Sequence, residues 1–211
     1  INSAYINALL ADATYALDTN DLEGKKDKDL ADLLEKRMTP TLAQYIGDNF
    51  TVVTHIETPD GFGTGFDATV WKNNTTGKLT VSMQGSTGLQ DFLTDADLAV
   101  SGNARNQMVT LVNWWLKIST PIEKIAKQID LETIYDNSTP PIALGTRFVA
   151  APGVTGQGLV TAADLAKGIE VNGHSLGGYL ATAFTRLFGV QANVTQTSTF
   201  NSAGFLAGSD K

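Results

Sequence analysis

A serine between two glycines is the feature of this sequence whose residue types and spacing most directly suggest chemistry. Ser175 lies in the run GHSLG at positions 173–177. A serine hydroxyl can act as a nucleophile from a sharp turn between a strand and a helix, where bulky side chains two residues before or after it would collide with those elements. Gly173 and Gly177 avoid that collision. We therefore expect Ser175 to be a catalytic nucleophile and these glycines to support it; a chance match is the alternative, because the chain contains 20 glycines.

Backbone N–H groups near this serine could stabilise the negative charge that forms on a carbonyl oxygen under attack. The N–H of Leu176 would point at the site from the first turn of the following helix, which makes it a candidate oxyanion-hole donor. Ser86 is a second small polar residue, and it follows a short apolar segment that ends at Gly85. It would stand at the end of a central strand, ahead of a long helix. A simple turn with a helix cap is the alternative interpretation of Ser86 and Asp91.

A serine nucleophile of this kind also requires a base, normally a histidine that an aspartate orients. The chain contains only two histidines, His55 and His174. His174 is adjacent to the serine and His55 lies on an early predicted strand, so we expect structural roles for both. Asp210 follows the last predicted strand too closely to be a good candidate for the triad acid. We therefore expect the polypeptide to continue beyond Lys211, with the catalytic aspartate and histidine in that C-terminal remainder.

Composition limits the classes of function. The 211 residues suffice for one domain, and 42% apolar with 18% charged residues is typical of a globular protein. The net charge of −7 comes without a basic cluster, which argues against nucleic acid as a partner. The absence of cysteine excludes disulfides and thiolate metal sites; we expect neither a metal nor a cofactor. Acidic chains without cysteine are common among bacterial secreted enzymes, so we expect an extracellular location, although a cytosolic protein could have the same composition.

Hydrophobic periodicity predicts the elements that must position these residues. The pattern changes from helical spacing in the first 47 residues to alternation from Phe50 onward, and then back to helical spacing after Gly102. The expected strands are 51–57, 66–71, 79–83, 169–172 and 194–200, and the expected helices include 6–17, 30–38 and 176–188. Ser175 thus falls at a predicted junction between a strand and a helix.

Residues 119–160 are expected to form an insertion that could act as a lid. A capping-box pattern at 120–123 is followed by isoleucines at three- and four-residue steps, which predicts an amphipathic helix. These isoleucines are Ile118, Ile122, Ile125 and Ile129. The Pro- and Gly-containing residues 136–160 are expected to form a long loop. The helix could cover an acyl-binding site, or it could be an ordinary peripheral helix packed on the core.

Three segments of the chain resemble the class 3 lipase family, which includes fungal triacylglycerol lipases and bacterial phospholipases. They are LTVSMQGSTGLQDFLTDADL at 79–98, IEVNGHSLGG at 169–178 and FNSAG at 200–204, in the order found in that family. The resemblance implies an α/β fold of the α/β-hydrolase type, with a mostly parallel central sheet, flanking helices and an incomplete C-terminal part. It also implies that Ser86 supplies its N–H to the oxyanion hole and that Asp91 orients the Ser86 hydroxyl.

The resemblance further implies hydrolysis of lipid esters through an acyl-enzyme on Ser175, with transient contact to a lipid surface. Triacylglycerols, phospholipids and small esters all remain open as substrates. Two alternatives come from other classes. The chain could be a catalytically silent hydrolase fold that binds lipid or a partner, or it could be a different serine hydrolase, such as an acyltransferase or a peptidase.

Overall fold

The computed structural model describes residues 2–19, 21–58, 64–85 and 102–202, with side chains from residue 105 in the last range. The helices are α1 (Ser3–Ala13), α2 (Asp27–Leu34), α3 (Pro40–Asn49), α4 (Gly102–Ser119), α5 (Ala162–Leu165) and α6 (Leu176–Phe188). The strands are β1 (Phe50–Glu57), β2 (Asp67–Asn73), β3 (Leu79–Met83), β4 (Ile125–Tyr135), β5 (Ala143–Thr155), β6 (Ile169–His174) and β7 (Val194–Phe200). A 3₁₀ turn, Thr14–Ala16, follows α1.

A mixed five-stranded sheet with helices on both faces forms the centre of the protein. Its strand order is β1-β2-β3-β6-β7. β1, β2 and β3 pair antiparallel, whereas β6 runs parallel to both β3 and β7. The predicted α/β fold, with parallel neighbours β6 and β7 and an antiparallel extension before them, is therefore confirmed.

Two apolar clusters hold helices against the opposite faces of this sheet. On one face, α4 and α6 pack through Trp115, Leu180 and Phe184 against Val81 and Val171. On the other, the N-terminal helices pack around the fully buried Trp71 of β2. Side chains of β6 contact the helices on both faces of the sheet. Its apolar side chains lie on one face, and Glu170 and Asn172, which alternate with them, form hydrogen bonds with Asn7 of α1 on the other. The sheet is consequently covered on both sides, as expected where parallel strands are buried.

The segment 119–160 differs from its prediction, because it forms a long antiparallel hairpin of β4 and β5. Ile118 is buried at the end of α4, whereas Ile122 and Ile125 are 64% and 66% exposed. The predicted amphipathic helix and the predicted loop at 136–160 are therefore both wrong. The hairpin is attached to α4 by Asn113, whose side chain donates to the Ile129 carbonyl oxygen at 2.9 Å and accepts from the Ile129 N–H at 2.8 Å.

Candidate active site at Ser175

The turn that carries Ser175 joins the end of β6 directly to the start of α6. Ser175 has φ 56° and ψ −125°, a conformation that L-amino acids rarely adopt. Its backbone is held on both sides, because its N–H donates to the Phe200 carbonyl oxygen at 3.0 Å and its own carbonyl accepts from the Gly178 N–H at 3.0 Å. A conformation of this kind costs about 1–3 kcal/mol and persists only when the surrounding structure imposes it. The strained turn projects a hydroxyl from the junction of a strand and a helix, as a nucleophile elbow requires.

The glycines around Ser175 are required by close backbone packing. A Cβ atom at Gly173 would collide with the backbone of Gly177, and one at Gly177 would collide with the Met83 carbonyl oxygen of β3. At Gly178, a Cβ atom would lie 2.7 Å from the side chain of Ser202. The sequence predicted that side chains larger than glycine at positions 173 and 177 would collide with neighbouring elements, and the geometry agrees. Gly178 is an additional position where α6 lies close to its neighbours.

The Ser175 hydroxyl and the Leu176 N–H are both available for a reacting group. Ser175 is partly exposed, and its side chain does not cap the helix that begins beside it. Leu176 is only 3% exposed and is the first residue of α6, where helix geometry leaves the N–H without an intrahelical acceptor. Among the described residues, no hydrogen-bond acceptor is found for the Leu176 N–H outside the helix. The arrangement can present one nucleophilic oxygen and one oxyanion donor at the same turn.

The end of β3 lies directly against this turn. The register pairs Met83 with Gly173, so the next two positions along each parallel strand bring Gly85 beside Ser175. A Cβ atom at Gly85 would lie 2.7 Å from the His174 carbonyl oxygen and 3.0 Å from the Ser175 Cβ. The two strand ends therefore meet at the candidate nucleophile. Ser86, the other residue predicted for the oxyanion hole, and Asp91, predicted to orient the Ser86 hydroxyl, lie outside the described residues, as does Asp210.

His55 is placed far from Ser175. It lies on β1, which is separated from β6 by β2 and β3, a lateral distance of roughly 14 Å at the usual strand spacing. Its Nδ1 is hydrogen-bonded to Thr69 Oγ1 at 2.8 Å. Burial lowers the pKa of His55 to about 4, so the side chain is neutral near pH 7. The geometry gives His55 a structural position on the sheet and no access to the Ser175 hydroxyl.

His174 is engaged by a tyrosine that sequence reasoning missed. Its Nδ1 lies 3.1 Å from the Tyr15 hydroxyl, which also accepts a hydrogen bond from the Gly85 N–H at 2.8 Å. The two rings meet edge to face with centroids 6.0 Å apart. No local pattern marks Tyr15, because its partners are 70 and 159 residues away in sequence. His174 is thus directed to the N-terminal helices, while Ser175 follows it on the turn.

A cluster of metal-ligating side chains and a membrane-spanning helix are both absent from the part of the chain that the structure describes. Histidine and carboxylate side chains there form no group of three or more that could hold a metal ion. In the same ranges, every helix is too short or too polar to cross a membrane.

No protein-family model and no curated protein sequence matches the chain. Among solved structures, the chain is similar to the Lip2 lipase from Yarrowia lipolytica, with 13% sequence identity and a TM-score of 0.45. The match covers 96% of this chain and 59% of the lipase chain, so this chain spans a little more than half of the length of the protein it resembles.

Proposed function

We propose that this chain supplies the nucleophile and part of the oxyanion hole of a serine hydrolase that cleaves carboxylic esters. The observation that carries the proposal is the strained backbone of Ser175, imposed between a strand and a helix by glycines that tolerate no Cβ atom. Strain is maintained at functional sites more often than elsewhere, because a purely structural turn would favour a residue that fits without cost. The adjacent Leu176 N–H adds a donor at the position where charge would develop.

The proposed reaction proceeds in two steps. Ser175 Oγ attacks the ester carbonyl carbon, its proton passes to a base, and the alcohol leaves after receiving that proton. Water then attacks the acyl-enzyme, which releases the carboxylic acid and restores the Ser175 hydroxyl. His55 and His174 are both hydrogen-bonded away from Ser175. A histidine base therefore has to come from a further segment of the polypeptide, and we include such a C-terminal segment, with its aspartate, in the proposal.

Lipid esters are the substrate class that we propose. Their support is the sequence resemblance to class 3 lipases around Ser86 and Ser175, together with exposed apolar side chains on the hairpin β4–β5. Ile142 and Leu144, near the end of the hairpin, are 62% and 67% exposed, and Tyr135 beside them is 57% exposed. A transient contact between this apolar end and an uncharged lipid surface fits an acidic chain better than contact with an anionic one. An extracellular location is part of the same proposal.

Covalent labelling of Ser175 tests the proposal. In the complete native polypeptide, a fluorophosphonate probe should label the wild type, and Ser175→Ala should abolish both labelling and hydrolysis of a p-nitrophenyl ester without loss of folding. Ser138→Ala is the matched control, because Ser138 is an exposed serine at the hairpin end. Labelling that survives in Ser175→Ala would place the nucleophile elsewhere.

A catalytically silent binding module is the second candidate function. It is favoured by one observation, namely that both histidines of this chain are engaged in hydrogen bonds away from Ser175. The two candidates give opposite results in the labelling experiment. A complete polypeptide that folds, binds lipid vesicles and shows no probe labelling would favour the binding module over the hydrolase.

A further inference from the structure

The Tyr15 hydroxyl joins the two strand ends that meet at the candidate nucleophile. It accepts the Gly85 N–H at the end of β3 and lies 3.1 Å from His174 Nδ1 at the end of β6. Both partners are directly adjacent in sequence to candidate site residues, since Gly85 precedes Ser86 and His174 precedes Ser175. A single oxygen atom therefore contacts both strand ends that meet beside Ser175.

The Tyr15 ring is itself fixed by the N-terminal helices. Tyr15 lies on the 3₁₀ turn after α1, and the Arg37 guanidinium carbon is 4.6 Å from its ring centroid. Arg37 is in turn held by Asp12, with Nε to Oδ1 at 2.7 Å. A cation above the face of an aromatic ring and an ion pair behind the cation restrict the orientation of the phenol. The hydroxyl consequently reaches the two strand ends from a rigid position.

The hydrogen-bonding capacity of the hydroxyl matches its two partners. A phenol has one donor proton and two acceptor lone pairs, so it can accept the Gly85 N–H and at the same time form a hydrogen bond with His174 Nδ1. Burial raises the pKa of Tyr15, which keeps the hydroxyl protonated through the neutral pH range. The contact with Gly85 is also close, because a Cβ atom there would lie 2.9 Å from the Tyr15 oxygen.

We propose that Tyr15 is a positioning residue that holds the end of β3, at Gly85, at a fixed distance from the turn at Ser175. This inference rests on the proposed function. Tyr15 touches neither the substrate nor the Ser175 hydroxyl in this role. It acts through the backbone of Gly85 and the ring of His174, whose positions determine where the end of β3 lies relative to Ser175 and the Leu176 N–H.

The physical consequence is a dependence of transition-state stabilisation on one remote hydroxyl. Oxyanion donors contribute only when they lie about 2.7–3.1 Å from the developing charge. A displacement of about 1 Å can cost roughly a hundredfold in rate. Without the Tyr15 oxygen, the Gly85 N–H loses its acceptor and the end of β3 is no longer tied to β6 at this point. Ground-state binding of the acyl chain should change much less than the rate of the chemical step.

Tyr15→Phe in the complete native polypeptide tests the inference, because it keeps the ring below Arg37 and removes only the oxygen. We expect kcat for a soluble p-nitrophenyl ester to fall about tenfold to a hundredfold, with KM within about twofold of the wild type. Affinity for a trifluoromethyl ketone, which forms a tetrahedral adduct on serine, should fall by the same factor as kcat/KM. Tyr45→Phe is the matched control, since Tyr45 is also partly exposed and packs against the apolar cluster of the N-terminal helices; it should leave kcat unchanged.

The outcomes separate this inference from the proposed function. A wild type that fails to react with a fluorophosphonate contradicts the hydrolase function itself. A wild type that reacts, with a folded Tyr15→Phe variant whose kcat and ketone affinity are unchanged, overturns the positioning role alone. A second readout is a double-mutant cycle with His174→Ala, in which the two changes in kcat should be strongly non-additive; additive changes would show that Tyr15 and His174 do not act as a unit.

Discussion

The backbone conformation of Ser175 is unfavourable in itself, and its neighbours maintain it. Gly173 and Gly177 allow β6, β3 and α6 to approach more closely than any side chain would permit. The Phe200 carbonyl and the Gly178 N–H then hold the serine from both sides. The free energy that sustains the strained residue thus comes from hydrogen bonds and packing spread over three strands and a helix. A serine used only for solubility would need none of these constraints.

His55 should make the stability of the protein depend on pH. Burial lowers its pKa in the folded state to about 4, whereas an unfolded histidine has a pKa of about 6.5. The folded state therefore binds a proton less readily than the unfolded state, and stability is full above about pH 6.5 and falls as the pH decreases toward 4. The loss from this residue is up to about 3 kcal/mol over that window.

Urea denaturation at pH 7 and pH 5 measures the effect of His55. The wild type should lose more free energy of unfolding between the two pH values than His55→Gln, which cannot be protonated. Glu170 and Asp164, whose pKa values are lowered in the folded state, weaken stability only at lower pH and are common to both proteins. Equal pH dependence in wild type and variant would mean that His55 is not buried as described.

For individual residues, the sequence predicts a role only where the reason for that role lies in neighbouring positions of the chain. Ser175, Gly173 and Gly177 lie within five consecutive residues, so the steric logic of their turn is visible without a structure. Tyr15 contributes through partners far away in the chain, and nothing in its neighbours distinguishes it from Tyr5 or Tyr45. Its position at the site depends on how the N-terminal helices pack on the sheet, which is a property of the folded chain.

Among the elements, the hairpin β4–β5 shows why one prediction was wrong. Ile125 and Ile129 are four residues apart, a spacing that places two side chains on one face of a helix and equally on one face of a strand. Between them and Ile134, the chain alternates Ile129, Asp130, Leu131 and Glu132, and this alternation is typical of a strand. The segment becomes a strand because it pairs with β5, and β5 begins only at Ala143. By contrast, β6, α6 and β7 follow one another with short connections, and their prediction was confirmed.

Asn113 and Arg105 are both polar attachments of this hairpin to α4, and Asn113 is the one that binds β4. Its side chain satisfies both backbone groups of Ile129. Removing it by Asn113→Ala leaves a backbone N–H and a carbonyl without partners, which should cost about 1–3 kcal/mol in stability. Hydrogen exchange at the Ile129 amide should accelerate strongly, while exchange in β6 should change little. Asn137→Ala at the exposed hairpin end is the control; accelerated exchange in both variants would contradict a specific role for Asn113.

The exposed side chains at the base of the hairpin allow a test of lipid contact. Ile122→Asp with Ile125→Asp should change stability by at most about 0.5 kcal/mol per site, because both side chains are largely exposed. In the complete native polypeptide with the proposed hydrolase function, hydrolysis of emulsified lipid should then decrease at least several-fold more than hydrolysis of a soluble short-chain ester, since a charged patch disfavours contact with lipid. A pair of exposed polar residues outside the hairpin, changed as Thr41→Ala with Thr75→Ala, is the control. An equal decrease on both substrates would exclude a role in lipid contact.

At the scale of the whole molecule, the sheet brings together segments that are far apart in sequence, at the carboxyl ends of its parallel strands. β3 and β6 are parallel neighbours, so the residues that follow each of them, at 84–85 and 174–175, meet at the carboxyl end of the sheet. Ligand sites in open parallel sheets are commonly found at this edge. The sequence predicted that β6 and β7 are parallel neighbours and that the strands before them form an antiparallel extension. It could not predict that the N-terminal helices would supply Tyr15 to the same edge.

The same arrangement predicts that residues 1–211 by themselves have little activity. Serine hydroxyls are poor nucleophiles without a base, and loss of a triad member leaves only the residual catalysis of the oxyanion hole and of substrate binding. His55 is about 14 Å away laterally, and His174 is hydrogen-bonded to Tyr15. Purified residues 1–211, shown to be folded by circular dichroism, should therefore hydrolyse a p-nitrophenyl ester at least about a thousandfold more slowly than the complete native polypeptide. Rapid turnover by residues 1–211 that disappears in Ser175→Ala would show that a group within this chain acts as the base, and replacing His55 and His174 in turn would then identify it.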